Sequence, residues 1–193
     1  LTVTDDFGQT TATEYNDPLL RPTRIIPPQG SGIIENVYGD QAGNIFIKTR
    51  KQVTANSWNE SISLLDGLGR VFQTEAKDAQ RTTYIDTEFD NMGRVKRSTK
   101  PYLQSETKNW VETVYDSAGR ISEIVSPVIS GEPVPAKIKT EYDLATSGDQ
   151  IGTVVVGINQ AGKKGRSILN ALGQLIRFDE LNDAGELGPI NNP

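Results

Sequence analysis

A seven-residue motif recurs along this chain and restricts its fold more than any other feature. It consists of an apolar or aromatic residue, Asp, two variable residues, Gly, Arg and a β-branched residue. Close copies occupy residues 65–71, 89–95 and 115–121, and weaker copies place their glycines at positions 8, 43, 162, 173 and 185. A repeat near 25 residues, with a half-unit near 12, leaves room for two strands and tight turns, whereas helical repeats need roughly 33 residues or more. The motif therefore predicts consecutive β-hairpins.

The Asp-x-x-Gly core of the motif is typical of a type I turn followed by a residue with positive φ. The residue before each Asp should then face the β-branched residue after each Arg across the hairpin. The predicted apolar pairs are Leu65 with Val71, Phe89 with Val95, Tyr115 with Ile121 and Leu169 with Leu175.

The Asp and Arg of each motif allow two interpretations. They form a cross-strand ion pair, or the Asp caps loop N–H groups while the Arg lies over a neighbouring aromatic ring. Both roles are structural, and recurrence supports such a role because a catalytic constellation is normally made once. The predicted turn residues are Asp66, Gly69, Arg70, Asp90, Gly93, Arg94, Tyr115, Asp116, Gly119 and Arg120.

Composition excludes several kinds of function. Hydrophobic residues make up 35% of the chain and the mean hydropathy is −0.45, so one sheet face can be buried but a thick core cannot. With no Cys and no His, thiol nucleophiles, His-based triads and Cys or His metal sites are removed. A net charge of −5 argues against nucleic acid as a partner, and no apolar run is long enough for membrane insertion. We expect no catalytic residue, no metal and no cofactor.

The regions between the motifs carry the weaker predictions. Proline-rich segments at 18–28 and 127–135 are predicted to be loops or edge strands, and residues 78–81 a half-unit turn without its Gly. Residues 157–164 nearly spell a phosphate-binding loop, but Lys164 stands where Ser or Thr is needed, which favours a turn. The acidic residues near Asp179 also favour a turn over a calcium site. An enzyme would need a single-copy polar pocket, for which residues 126–148 are the region to inspect.

Two tryptophans are the candidate binding residues. Trp58 and Trp110 could present a surface on which sugars stack, although aromatic residues at strand positions more often pack across strands. A binding role for them would belong to a different class of protein from a purely structural repeat.

The three strong motifs resemble those of the Rhs, or YD-repeat, family, and residues 98–102 and 159–175 also look similar to that family in bacteria. The resemblance extends over about residues 1–187. The family's self-cleavage motif does not match, since Asp17-Pro18 lies in the wrong context, so no protease or toxin activity is implied.

The resemblance implies an all-β, elongated and twisted antiparallel sheet of consecutive β-hairpins, a YD-repeat solenoid that forms part of a shell. We expect a single array over residues 1–193, a fragment of a longer chain, with strong repeats at 60–125 and degenerate repeats at 1–59 and 140–187. The expected function is a non-catalytic wall segment that encloses a toxin or other polypeptide. Its partners would be neighbouring repeats of the full-length chain and a C-terminal cargo domain, in a secreted or cell-surface protein. The alternative is a protein- or carbohydrate-binding module of an adhesion protein.

Overall fold

The computed structural model describes residues 1–28, 31–78, 80–127, 137–147, 150–159 and 161–180. This part of the chain contains β-strands and no helix, and therefore no helix long and apolar enough to cross a membrane. The strands are β1 (Thr2–Thr4), β2 (Thr10–Glu14), β3 (Arg24–Ile26), β4 (Ile34–Gln41), β5 (Asn44–Thr54), β6 (Ser57–Leu65), β7 (Val71–Lys77), β8 (Thr82–Phe89), β9 (Val95–Thr99), β10 (Trp110–Tyr115), β11 (Ile121–Val125), β12 (Lys137–Ser147), β13 (Gln150–Ile158), β14 (Lys164–Leu169) and β15 (Leu175–Glu180).

The strand order of the sheet is the order of the sequence, from β1 to β15. Pairing between successive strands is antiparallel, as in β4 with β5 and β13 with β14. The prediction of an all-β sheet of consecutive hairpins is therefore confirmed. An elongated, twisted solenoid that forms part of a shell stays a prediction.

The chain divides into two compact units. Unit 1 comprises residues 1–89 and 98–109, and unit 2 comprises residues 90–97 and 110–193. In unit 1, cross-strand ion pairs such as Arg50 with Glu35 (2.5 Å) and Lys48 with Glu60 (2.7 Å) line one face of β4, β5 and β6. In unit 2, Val154 and Ile168 face each other across β13 and β14 and are 8% and 2% exposed.

Few side chains are buried, as the low apolar content predicts. Among the described residues, the buried apolar side chains are Tyr102, Val154 and Ile168, and the buried polar ones are Asp86, Thr99 and Arg166. Because so few of the described side chains are buried, the stability of each unit depends on the hydrogen-bond ladder and on cross-strand contacts.

Two local predictions are wrong. In the proline-rich segment 18–28, residues 18–23 and 27–28 lie outside the strands as predicted, but β3 is not an edge strand because it pairs with both β2 and β4. The weak copy at residues 40–43 does not form the motif's loop, since Asp40 lies within β4 opposite Ile45 and Gln41 pairs directly with Asn44. A two-residue turn, with Gly43 at φ 81°, closes that hairpin instead.

Candidate functional site

The turn at Asp116 shows how the motif works. The N–H of Asp116 donates to the carbonyl of Arg120 (2.8 Å), and the N–H of Gly119 donates to the carbonyl of Asp116 (3.0 Å). Gly119 has a φ of 81°, a conformation that costs a residue with a Cβ roughly 1–2 kcal/mol. The Asp116 Oδ1 accepts the N–H groups of Ala118 and Arg120, both at 2.9 Å. One carboxylate oxygen therefore caps the whole loop.

The same loop recurs along the chain with the same hydrogen bonds. In each copy the first residue's side-chain oxygen accepts the N–H groups of the residues two and four positions later. The copies begin at Asp5, Asp66, Asp90, Asn159 and Asn170. Their glycines have φ between 74° and 81°. Asn suffices at this position because its amide oxygen supplies the same acceptor.

The second carboxylate oxygen binds the arginine of the motif. The Nε atoms of Arg70, Arg94 and Arg120 each donate to Oδ2 of their own Asp at 2.8 Å. The Arg70 side chain holds the pKa of Asp66 below its ordinary value, and the Arg120 backbone N–H is the main cause of the lowered pKa of Asp116. The two interpretations of the Asp and Arg pair are therefore both realised, one on each oxygen.

Each arginine also lies over an aromatic ring of the following repeat. The guanidinium carbon is 4.3 Å from the ring centre for Arg70 on Phe89, and 4.1 Å both for Arg94 on Tyr115 and for Arg120 on Tyr142. We call each such set of Asp, Arg and ring a staple. Its cation–π contact connects one hairpin to the next.

The tyrosines of the staples make a further contact. The hydroxyl of Tyr115 donates to the carbonyl of Val95 (2.8 Å), and that of Tyr142 donates to the carbonyl of Ile121 (3.0 Å). The acceptor in each case belongs to the residue after the stacked arginine. The β-branched position is thus held through its backbone as well as through its side-chain pair.

Sequence reasoning missed Tyr142, the ring of the Arg120 staple, and one further complete staple. Tyr142 and Asp143 repeat the Tyr-Asp dipeptide 27 residues after Tyr115 and Asp116, a spacing close to the common unit that could have revealed them. The complete staple that was missed consists of Asp17, Arg21 and Tyr38. Arg21 lies 4.0 Å from the Tyr38 ring centre, and the Tyr38 hydroxyl donates to the carbonyl of Pro22.

The Asp17 staple departs from the motif at its glycine. Leu20 occupies that position with a φ of 55°, so no glycine signal marked this turn. Arg21 binds two carboxylates, with Nε to Asp17 at 2.8 Å and Nη2 to Asp40 at 2.6 Å. The hydrogen bond from Arg21 lowers the pKa of Asp17 to about 2.

Both candidate tryptophans are covered by arginine. The guanidinium carbon of Arg50 is 4.7 Å from the Trp58 ring centre, and that of Arg97 is 4.3 Å from the Trp110 ring centre. One ring face of each tryptophan is therefore occupied by a guanidinium, and the role of these rings in sugar binding stays a prediction. Trp58 belongs to unit 1 and Trp110 to unit 2.

Unit 1 holds a single-copy polar cluster around Asp86, which sequence reasoning missed. Asp86 is 8% exposed; its Oδ1 accepts from Gln73 (2.7 Å) and its Oδ2 accepts from the Tyr102 hydroxyl (2.9 Å) and the Lys108 ammonium (2.5 Å). The backbone N–H of Asp86 donates to Thr99 Oγ1 (2.9 Å). No motif signals this cluster, because its members come from three separate stretches of sequence.

The protonation of the cluster argues for a structural role. Burial raises the pKa of Asp86, but hydrogen bonds from Lys108, Gln73 and Tyr102 outweigh it and leave that pKa lowered. Burial and the bond to Asp86 raise the pKa of Tyr102, and Asp86 raises that of Lys108. These directions keep the carboxylate ionised and the amine and phenol protonated near neutral pH, so the three groups are held together by charge-assisted hydrogen bonds.

The segment that resembles a phosphate-binding loop and the acidic residues near Asp179 also form part of the sheet. Residues 157–164 connect β13 to β14 through the Asn159 turn, and a strand follows where a phosphate-binding loop requires a helix. Asp179 is paired with Arg166 (2.7 Å) and Arg177 (2.6 Å), and the rest of the acidic group from 181 onward lies outside the described residues. No cluster of three potential metal ligands occurs in the part of the chain that the structure describes.

Fold and staples together define an antiparallel β-hairpin repeat protein. Residues 38–123 match the model of a family described as Domain of unknown function (DUF6443), a region that includes the turns at Asp66, Asp90 and Asp116. No curated protein matches the chain.

Proposed function

We propose that this chain is a structural wall segment of an Rhs or YD-repeat β-shell that encloses a polypeptide cargo. The observation that supports it best is the recurring staple, in which each arginine lies over an aromatic ring farther along the chain at 4.0–4.3 Å. In these staples the contact reaches the next hairpin, which suits a propagating wall in which each repeat is stabilised by its neighbours.

The polar groups support a non-catalytic role. The Asp and Arg residues of the staples are occupied by one another and by loop N–H groups, and both oxygens of the Asp86 carboxylate accept hydrogen bonds. A wall needs such satisfied groups, whereas an active site needs a group held ready to react.

The test is protection of a cargo in the complete natural protein that carries residues 1–193. Limited proteolysis should leave a C-terminal polypeptide intact in the wild type and cleave it in a variant with both Arg94→Ala and Arg120→Ala. The matched control is Arg81→Ala, because the Arg81 pair with Asp78 is long (3.8 Å) and mostly exposed.

Cleavage of the downstream polypeptide at the same rate in the wild type and in isolation would contradict enclosure. A chemical turnover abolished by replacing Lys108 or Tyr102 would contradict the non-catalytic part of the proposal.

A further inference from the structure

The loop between β9 and β10 lies against one edge of β8. In the sheet, β8 has β7 on one side and β9 on the other. Because β8 contains eight residues and β9 only five, β9 does not cover the whole of this outer edge. Residues 98–109 belong to unit 1 together with β8, although the residues on either side of them belong to unit 2. We call residues 100–109 the strap.

The two ends of the strap are tied together. The N–H of Lys100 donates to the carbonyl of Asn109 (2.9 Å), and the N–H of Glu106 donates to the carbonyl of Leu103 (2.8 Å). The Oε2 atom of Glu106 in turn accepts the N–H of Leu103 (2.7 Å). A surface loop with joined ends and internal hydrogen bonds is an Ω-loop, which is a compact unit of structure.

One residue pair joins the strap to β8 in the manner of a strand. Tyr84 and Tyr102 exchange both backbone hydrogen bonds, at 2.8 and 3.0 Å. Pro101, which has no N–H, precedes this pair, so the ladder cannot continue on that side. β7, by contrast, pairs with β8 along five residues. The backbone contact of the strap is therefore weak by comparison.

Asp86 supplies a second connection between the strap and β8. Its Oδ2 atom accepts the Tyr102 hydroxyl (2.9 Å) and the Lys108 ammonium (2.5 Å), which come from opposite ends of the strap. Its backbone N–H donates to Thr99 Oγ1 (2.9 Å) instead of to a ladder carbonyl. Tyr102, Thr99 and Asp86 are 8%, 5% and 8% exposed, and burial strengthens such charge-assisted bonds. One carboxylate therefore holds both ends of the strap.

We propose that the strap is a cover for the outer edge of β8, that it opens as one unit, and that Asp86 is its lock. An open strap leaves the N–H and the carbonyl of Tyr84 unpaired, and an unpaired strand edge is a template for pairing with another strand. Local opening of this kind needs less free energy than unfolding of the whole unit. The lock uses no residue of a staple, so the proposal is independent of the wall function.

The test is residue-resolved hydrogen exchange of the 193-residue chain by NMR at low concentrations of urea. Successive N–H groups along a strand point in opposite directions, so the N–H of Tyr84 faces the strap and that of Ile85 faces β7. Tyr84 and Tyr102 should share one protection factor that hardly changes with urea, because opening of the strap exposes little surface. Ile85 should be better protected, and its exchange should accelerate as urea rises.

Two variants and a control examine the lock. Asp86→Asn should accelerate exchange at Tyr84 and Tyr102 together by about tenfold to a hundredfold, the range expected for loss of a hydrogen bond to a charged group. Lys108→Ala changes a side chain that is 48% exposed, so unit 1 should still fold, and the same two amides should accelerate by a smaller factor. Asp78→Asn alters a carboxylate of the turn between β7 and β8 and is the matched control, which should leave both amides unchanged.

Equal protection of Tyr84, Tyr102 and Ile85 in the wild type would overturn the proposal, because the strap would then open only when unit 1 unfolds. Acceleration of Tyr102 without Tyr84 would refute a cover that opens as one unit. Unchanged exchange in both Asp86→Asn and Lys108→Ala would show that Asp86 is not the lock.

Discussion

The staple between Arg94 and Tyr115 offers the most direct test of how this sheet is held together. The Arg94 guanidinium carbon lies 4.1 Å from the Tyr115 ring centre, and Nε and Nη2 lie 2.8 and 2.7 Å from Asp90 Oδ2. The cation–π contact contributes roughly 0.5–1 kcal/mol and the partly exposed ion pair roughly 0.2–1 kcal/mol. Arg94→Ala should therefore lower the free energy of unfolding of unit 2 by about 1–2 kcal/mol.

The measurement is urea unfolding followed by circular dichroism, combined with hydrogen exchange of the amides in the Asp116 turn. The exchange data are needed because two units need not unfold in one step. Arg94→Lys keeps a charge near Asp90 but loses the planar stacking, so its loss should be intermediate. Arg81→Ala is the control; Arg81 is 67% exposed and 3.8 Å from Asp78, so its loss should stay below about 0.5 kcal/mol.

Equal losses in Arg94→Ala and Arg81→Ala would refute this account of the staple. So would a loss in Arg94→Lys as large as that in Arg94→Ala, combined with unchanged exchange in the Asp116 turn. In either case stacking on the aromatic ring would contribute nothing measurable.

Three further predictions concern the other copies. Phe89 lies under Arg70 but has no hydroxyl that could donate to the carbonyl of Val71, the residue after that arginine. Phe89→Tyr should add this hydrogen bond and stabilise unit 1 by about 0.5–1.5 kcal/mol, as measured by urea unfolding. No gain would mean that this repeat differs from the tyrosine copies. Leu20 has a φ of 55°, and relief of this backbone strain outweighs the conformational entropy that a glycine loses, so Leu20→Gly should raise the melting temperature. Gly69→Ala should lower the melting temperature, because it forces a positive φ on alanine. Changes of the same sign in the two variants would contradict the turn assignment. The pKa of Asp17 is lowered from 3.8 to about 2, so its contribution to folding stability is present above pH 3.8 and is lost as pH falls through about 2. The melting temperature of Asp17→Asn should therefore change less with pH over this range than that of the wild type. Parallel plots of melting temperature against pH would exclude the Arg21 pair as the cause.

The hairpins and their turns were predictable because the information is local. Asp116 and Gly119 lie in one turn of five residues, so their hydrogen bonds follow from spacing and from the preference of glycine for positive φ. The predicted cross-strand pairs of Leu65 with Val71 and Tyr115 with Ile121 are observed for the same reason.

The turns that lacked a local signal were missed or misassigned. Leu20 adopts positive φ without being a glycine, held by the hydrogen bonds of Asp17 and Arg21 around it. Asp40 has the right spacing to Gly43, but its carboxylate binds Arg21 from an earlier turn. Spacing alone could not separate these two cases, because the partner that decides each lies outside the motif.

The sequence by itself determined the fold class, the hairpin period and the loop form, because all of these depend on neighbours within a few residues. Only the tertiary structure decided which ring each arginine covers and how Gln73, Asp86, Tyr102 and Lys108 meet. The physical reason is register. A shift of one residue between strands moves a side chain to the other face of the sheet, so contacts between residues distant in sequence exist only once the strands have paired.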